Sequence, residues 1–150
     1  LQLQLAPFAP TELRLLVQGK PTLSAAELLG CFVPPSSSDA EAVAAGFVAA
    51  GSRSDGLFVE VLRDEALFSE ARRRMLFTWC TALSALPANG LEEYLIQLRA
   101  YPSAGDSGQA LPETHTCTRE LHLPEYATKE QLCERLCMAL DHMHDGFLNT

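Results

Sequence analysis

The run Leu-Pro-Glu-Thr-His-Thr-Cys, residues 111–117, places a thiol two residues after an imidazole. A thiolate attacks an acyl carbon readily and then leaves well, so Cys117 is suited to accept an acyl group and pass it on. In an extended backbone, side chains two residues apart point the same way, which would set His115 beside Cys117. His115 then either shapes the loop through its ring nitrogens or favours the thiolate, and Thr116 is expected to fix the loop backbone. A loop between strand-like segments would expose the Cys117 thiol, whereas a cysteine in the core would be inert.

A self-contained acyl-transfer site also needs an orienting carboxylate and donors for the oxyanion. Glu113 and Glu120 lie close to Cys117 in the chain, but a glutamate in such a position is usually a solvated charge. The sequence offers no convincing second set of catalytic residues. A cysteine hydrolase is disfavoured, because no separate histidine with an aspartate or asparagine partner has plausible spacing.

A metal site is the alternative chemistry. Cys133, Cys137, His142 and His144 lie in one short stretch, and two thiolates with two imidazoles would suit zinc. The same stretch carries an apolar stripe with the cysteines at its flanks: Leu132, Leu136, Ala139, Leu140 and Met143. Free cysteine commonly packs as a small hydrophobe, so core packing is favoured, and neither a metal nor a cofactor is predicted.

The amino-acid composition limits the classes of protein to which this chain can belong. The 150 residues are 47% hydrophobic and 20% charged, which fits a globular chain with one well-buried core, or with one core and a small appendage. A net charge of -8 argues against a nucleic-acid partner, and the basic run at residues 72–74 is predicted to be the solvated face of a helix. No apolar stretch approaches the ~18 residues of a membrane span, so no membrane partner is predicted. Five cysteines without a disulfide framework favour an intracellular, cytoplasmic setting. The chain begins without methionine, and we expect an excised fragment.

Apolar spacing and capping residues predict several helices. The first spans Thr11 to Gln18 and stops at Gly19. The next begins after Ser24, and an alanine-rich helix follows a capping box at residues 38–41. Further helices are expected over residues 57–66 and 69–83, and a last one from Thr128 to about Met143. Prolines and serines at 34–38 give the clearest linker.

Strand patterns cover residues 1–5, 94–101 and 116–123, and a Gly/Ser loop separates the last two. Helices followed by strands flanked by helices predict an α+β fold.

The motif at 111–117 resembles the active-site signature of HECT ubiquitin ligases, in which Leu-Pro, two variable residues and His-Thr precede the catalytic cysteine. The run at 121–126, Leu-His-Leu-Pro-Glu-Tyr, is similar to the family's following Leu-x-Leu-Pro-x-Tyr. Residues 8–19 resemble the helix near the end of the family's N-terminal lobe. Thr81, Ser84 and the residues at 86–90 fall where the family has Thr-Gly-Thr-Ser-Arg-Leu-Pro-x-x-Gly. The resemblance is collinear over nearly the whole chain.

This resemblance implies a HECT catalytic lobe with a small sheet flanked by helices, preceded by a helical tail of the N-terminal lobe. It divides the chain into residues 1–33 as that tail, 34–55 as a hinge region, and 56–150 as the catalytic lobe. Cys117 would take ubiquitin as a thioester from a ubiquitin-conjugating enzyme and pass it to a lysine of a substrate protein. A fragment without most of the N-terminal lobe is expected to be weak alone. A ubiquitin-binding module without useful turnover is the alternative.

Phe147, fourth from the C-terminus, has two interpretations. An aromatic residue just past a helix end normally anchors the tail by packing, whereas the resemblance implies a role in aligning the loaded cysteine or docking against the other lobe. Departures from the family pattern surround the cysteine. Thr118 stands where phenylalanine is usual, Arg119 where asparagine is common, and His122 where an aspartate often precedes Leu-Pro. These departures mark a divergent member of the family that keeps the nucleophile.

Overall fold

A computed structural model describes residues 8–36, 38–101 and 108–148, with the side chains of the last helix described as far as Asp145. The described chain combines helices with a small three-stranded sheet, which confirms the α+β prediction. The strand predicted over residues 1–5 and most of the predicted Gly/Ser loop lie outside the described residues.

The first two helices lie where the sequence predicts them, although the first begins one residue before the predicted Thr11. Helix α1 spans Pro10–Gln18 and ends at Gly19, whose φ of 74° few other residues adopt. Helix α2 spans Ala25–Cys31 and begins with a capping box: the Ser24 hydroxyl accepts from the Glu27 N–H at 3.2 Å, and the Glu27 carboxylate accepts from the Ser24 N–H at 2.9 Å.

The next two helices differ from prediction at their ends. Helix α3 is only the short Ala40–Ala44, and its cap is Asp39, whose carboxylate accepts from the Ala42 N–H at 3.0 Å. Helix α4 spans Arg53–Arg63 and so begins four residues before the predicted start, because the Ser52 hydroxyl caps it through the Asp55 N–H.

The last two helices are long and amphipathic. Helix α5 spans Glu70–Thr81 after the Ser69 cap, and helix α6 spans Lys129–Leu148 after Thr128, whose hydroxyl accepts from the Gln131 N–H at 3.2 Å. The predicted end of α6 near Met143 is therefore wrong. The helix continues through Gly146, since a single glycine weakens a helix without ending it.

The strands are shorter than their sequence patterns. Strand β1 is Gln97–Ala100, within the predicted 94–101. Strand β2, Glu113–His115, was not predicted at all. The strand predicted over 116–123 is wrong in its first half, because residues 116–119 form a turn and only β3, Glu120–Leu123, is extended. Antiparallel pairing of β2 with β3 forces the chain to reverse direction at this point.

The sheet has the order β1-β3-β2, with β1 parallel and β2 antiparallel to the central β3. Alternation places Leu98, Leu121 and Leu123 on the face that is buried by the helices. The other face carries polar side chains from all three strands. Outside β1, residues 46–48 add backbone hydrogen bonds, from Val48 N–H to the Leu98 carbonyl at 2.9 Å and from Ala100 N–H to the Gly46 carbonyl at 2.8 Å.

One hydrophobic cluster joins the helices to the sheet. Helix α6 packs on α4 and α5, and α2 packs on the same two helices. The largest fully buried side chains of the cluster include Phe58, Phe68, Phe77, Leu76, Leu121, Leu132 and Leu136. Leu23, Leu28, Cys31 and Phe32 belong to this cluster too. Helix α1, by contrast, has no buried residue, and its Leu16 and Val17 are exposed.

The prediction that the basic run at residues 72–74 is solvated was wrong for its middle residue, whereas Arg72 and Arg74 are partly exposed. Arg73 is only 3% exposed. Its guanidinium donates to the Leu23 and Phe68 carbonyls at 3.0 and 3.1 Å and pairs with Glu65 at 2.9 Å. A buried guanidinium is tolerated because its fixed fork of donors satisfies several backbone acceptors at once.

Within the described residues, every helix is too short or too polar to cross a lipid bilayer.

Candidate active site around Cys117

Cys117 lies in the four-residue turn that joins β2 to β3, and its side chain is exposed. The Arg119 N–H closes the turn on the Thr116 carbonyl at 3.3 Å, and Arg119 adopts the left-handed φ of 53°. The Thr118 hydroxyl donates to the His115 carbonyl at 3.4 Å. Strand pairing on both sides therefore presents the thiol to solvent on a short, hydrogen-bonded turn.

The turn is also anchored to the rest of the sheet through Arg119. Its guanidinium donates to the Glu93 carbonyl at 3.1 Å, and its own carbonyl accepts from the Gln97 N–H at 2.9 Å. These contacts fix where the turn leaves the sheet. A side chain held on such a support keeps a defined position.

His115 does not stand beside Cys117 in an extended segment, as the sequence interpretation supposed. It is the last residue of β2, and the chain turns before the cysteine. Its ring instead contacts the His122 ring, with the centroids 4.5 Å apart and the planes tilted by 57°. Among the described residues, the structure gives the Cys117 thiol no hydrogen-bond partner.

A carboxylate, a guanidinium and an imidazole lie on the same open face of the sheet. Glu120 Oε2 is 3.0 Å from His122 Nε2, and Glu120 Oε1 is 3.6 Å from Arg99 Nη1. Arg99 also donates to the Ala45 carbonyl at 2.9 Å and covers the Phe47 ring at 4.3 Å. The three side chains are each mostly shielded from solvent, so their interactions are stronger than those of fully exposed ions.

This arrangement changes the acidity of the carboxyl group. The hydrogen bond from His122 holds the pKa of Glu120 below its ordinary value; partial burial opposes the shift, and the Arg99 charge adds to it. Glu120 is thus an ionised, paired carboxylate three residues from the thiol, and not the solvated charge that the sequence suggested.

Sequence reasoning missed Arg99, Glu120 and His122 as a group. The alternation of Glu120 and His122 in one strand was visible and places both on one face. Arg99 could not be added from the sequence, because it is brought to them only by the pairing of β1 with β3, which sets Arg99 opposite His122.

The other four thiols differ from Cys117 in exposure. Cys31, Cys80 and Cys133 are buried and Cys137 is partly buried. Burial raises the pKa of Cys31 to about 11, with the Glu92 charge adding to it, and raises the pKa of Cys133 to about 12. Burial also raises the pKa of Cys80 well above its ordinary value. These three thiols are poor nucleophiles at neutral pH.

The cysteines of α6 pack as the sequence predicts. Cys133 is buried and donates to the Leu67 carbonyl at 3.3 Å, and its sulfur lies 4.0 Å from that of Cys137. His142 and His144 are exposed. Among the described residues, no group of three or more potential ligands is suited to hold a metal ion.

Three further residues were candidates for the site in the sequence. Thr116 is exposed and contributes its carbonyl to the turn, and Glu113 is exposed on β2. Phe147 was predicted to lie past the last helix, and that prediction was wrong, because α6 continues to Leu148. Its side chain is outside the described residues.

The known proteins that are similar in sequence to this chain include three that are named as ubiquitin ligases. Over 85 residues the chain is 35% identical to the E3 ubiquitin-protein ligase ptr1 of Schizosaccharomyces pombe, covering 53% of this chain and 3% of that protein. Over 103 residues it is 33% identical to the E3 ubiquitin-protein ligase UPL1 of Arabidopsis thaliana, covering 65% and 3%. Over 140 residues it is 28% identical to the probable E3 ubiquitin-protein ligase HERC3 of Homo sapiens, covering 93% and 12%. The chain thus spans a small part of each relative.

The family model that describes the HECT-domain (ubiquitin-transferase) matches residues 2–150, nearly the full length of the chain. The motif around Cys117 and the position of Cys117 on an exposed turn agree with this match. The chain therefore belongs to the HECT-domain family.

Proposed function

We propose that this chain is the catalytic part of a HECT-type ubiquitin ligase and that Cys117 accepts ubiquitin as a thioester. The observation that carries the proposal is the exposure of the Cys117 thiol on the β2–β3 turn, in a chain of this family whose other thiols are buried or partly buried. The relatives named above carry ubiquitin ligase in their names, and this supports the same activity here.

The chemistry requires two acyl transfers at one sulfur. The Cys117 thiolate attacks the thioester carbonyl between ubiquitin and a conjugating enzyme, and the sulfur of that enzyme leaves. A lysine amine of the substrate then attacks the new thioester, a carbon–nitrogen bond forms, and the Cys117 sulfur leaves. An exposed turn suits both steps, because two large proteins must approach the same atom in succession.

The partners follow from this mechanism: ubiquitin, a ubiquitin-conjugating enzyme and a substrate protein. We propose residues 1–33 as the tail of the N-terminal lobe, residues 34–55 as the hinge region and residues 56–150 as the catalytic lobe. The conjugating enzyme is proposed to bind the part of the N-terminal lobe that precedes this chain in the family. Phe147 is proposed to align the loaded cysteine.

A catalytically weak ubiquitin-binding module is the alternative. The substitutions at Thr118 and Arg119 favour it, because they change the residues next to the nucleophile from those usual in the family. Loading separates the two functions, since a binding module holds ubiquitin without a covalent bond.

The test is to load the chain with ubiquitin activated as a small-molecule thioester, which bypasses the need for a conjugating enzyme. We expect a ubiquitin adduct on non-reducing gels that a thiol reductant removes, and its loss in Cys117→Ala. Cys137→Ala is the matched control and is expected to load normally. An adduct that persists in Cys117→Ala would reassign the nucleophile, and non-covalent binding without any adduct would favour the binding module.

A further inference from the structure

The turn that carries Cys117 ends in an arginine whose backbone conformation is unusual for that residue. Arg119 has a φ of 53°, in the left-handed region that only glycine, and at times asparagine or aspartate, visits routinely. Such a conformation persists only where surrounding contacts hold it. The Arg119 N–H closes the turn on the Thr116 carbonyl at 3.3 Å, so this residue fixes the path of the chain past the thiol.

Arg119 also joins the turn to the segment that leads into β1, and it does so at two points. Its guanidinium donates to the Glu93 carbonyl at 3.1 Å, and its own carbonyl accepts from the Gln97 N–H at 2.9 Å. One hydrogen bond would leave the turn free to pivot, whereas bonds to both ends of this segment fix its direction. The side chain of Arg119 therefore bears on the orientation of the turn as well as on its shape.

The segment that receives these bonds is itself held by the core. Ile96 is only 1% exposed, and its N–H donates to the Cys31 carbonyl at the end of α2 at 2.8 Å. The Tyr94 ring meets the Phe77 ring of α5 edge on, with the centroids 6.0 Å apart. The support thus has a fixed position, which Arg119 passes on to the turn.

Backbone preference does not explain an arginine at this position. Asparagine suits a left-handed residue better, because its short polar side chain can bond to the local backbone. Arginine supplies reach instead, since its long stem carries the guanidinium to the Glu93 carbonyl outside the turn. The contact with Glu93 is what this side chain adds to the turn.

We propose that Arg119 is a positioning residue for acyl transfer at Cys117. Its contact with the Glu93 carbonyl holds the turn in the direction in which the thiol meets the ubiquitin thioester. This role rests on the proposed function of Cys117 as the site of that thioester. The side-chain contact, and not the left-handed backbone alone, sets the position of the nucleophile.

The first experiment measures the rate at which three variants load with ubiquitin activated as a small-molecule thioester. Arg119→Asn removes the guanidinium and suits the left-handed backbone, and Arg119→Met removes the guanidinium alone. Arg119→Lys keeps a cationic donor on a flexible stem. Because a small displacement of a reacting atom is costly, the first two should load about tenfold more slowly than the wild type, and Arg119→Lys should load faster than both.

The opposite order is expected if only the backbone conformation matters. Arg119→Asn would then load at least as fast as the wild type, because asparagine relieves the strain of the turn. That result would overturn the proposal.

The second experiment separates the position of the thiol from its reactivity. Iodoacetamide is small and approaches an exposed thiol from many directions, so the alkylation of Cys117 should keep its wild-type rate in all three variants. Amide exchange at Gln97 should accelerate in Arg119→Asn and Arg119→Met, because its acceptor is the Arg119 carbonyl. Alkylation that slows by the same factor as loading would mean that the thiol itself has changed, and would also overturn the proposal.

Ala82→Asn is the matched control. Ala82 ends α5 with a left-handed φ of 59°, so the variant places asparagine in a similar backbone conformation and should load normally. If Arg119→Asn fails to fold, Arg119→Met decides, and loading equal to that of the wild type overturns the proposal. A wild-type chain that never loads defeats the proposed function, whereas equal loading of the wild type and both variants without the guanidinium defeats only the role given to Arg119.

Discussion

At the scale of the residue, reactivity here depends on exposure more than on the type of side chain. The five cysteines share one functional group, yet only Cys117 lies on an exposed turn. Burial raises the pKa of Cys31, Cys80 and Cys133, because a thiolate loses the solvation of water inside the core. The fold thus protects the structural thiols and leaves one free to react.

We therefore expect iodoacetamide to modify Cys117 first in the native chain. Cys137 should react more slowly, and the three buried thiols only after denaturation, because the reagent needs both access and thiolate. Peptide mass spectrometry over a time course measures the order. Cys117→Ala should remove the fast phase and change the free energy of unfolding by less than about 0.5 kcal/mol, as is usual for an exposed site. A fast phase that survives in Cys117→Ala would contradict the assignment.

At the scale of the element, local signals fix where helices begin and end. Gly19 ends α1 with φ 74° and ψ -174°, a conformation that is nearly restricted to glycine. The Leu86 carbonyl oxygen lies where a Cβ would be placed, and the same oxygen accepts from the Lys20 N–H at 3.0 Å. Since α1 buries no residue, this glycine is one of the main contacts that hold its C-terminal end to the rest of the chain.

Gly19→Ala should loosen this contact. The side chain would collide with backbone, which yields less readily than a flexible side chain, and the strained conformation costs about 1–3 kcal/mol. We expect amide exchange at Lys20 to accelerate by roughly tenfold or more, since 1.4 kcal/mol corresponds to a factor of ten.

Gly56→Ala is the matched control. Gly56 lies inside α4 with open space around it, and alanine there should stabilise the helix by about 0.5–1 kcal/mol. Unchanged exchange at Lys20 in Gly19→Ala would show that α1 is held by other contacts.

At the scale of the whole molecule, Arg73 joins segments that are distant in sequence. Its guanidinium bridges the Leu23 carbonyl before α2, the Phe68 carbonyl before α5 and the carboxylate of Glu65. The Leu23 N–H in turn donates to Glu70 at 3.1 Å. The N-terminal part of the chain is thereby fastened to the helices that support the sheet and its turn.

Arg73→Met should destabilise the chain by about 2–4 kcal/mol, because two buried carbonyls would lose their donor. Arg63→Met, on an exposed position of α4, should change stability by less than about 0.5 kcal/mol. Urea unfolding followed by circular dichroism measures both. A loss below about 1 kcal/mol for Arg73→Met would mean that water or a rearranged backbone replaces the missing donors.

The sequence alone determined the features that depend on near neighbours along the chain. Capping residues such as Ser24 and Thr128 predicted where their helices begin, because a capping side chain accepts a hydrogen bond from a backbone N–H only three residues ahead. The motif ending at Cys117 indicated the family, which the match over residues 2–150 confirms. The catalytic role of Cys117 stays a prediction that the loading experiment tests.

Only the tertiary structure decided what distant segments do together. Pairing of β2 with β3 makes the chain reverse direction at Cys117, where the sequence predicted an extended segment, and brings the His115 ring into contact with the His122 ring. The same sheet brings Arg99 to Glu120. Arg73, which the sequence predicted to be solvated, is buried where its guanidinium donates to the Leu23 carbonyl. Hydrogen bonds and charges act over a few ångströms of space, whatever the separation in sequence, so these contacts become visible only when the chain is folded.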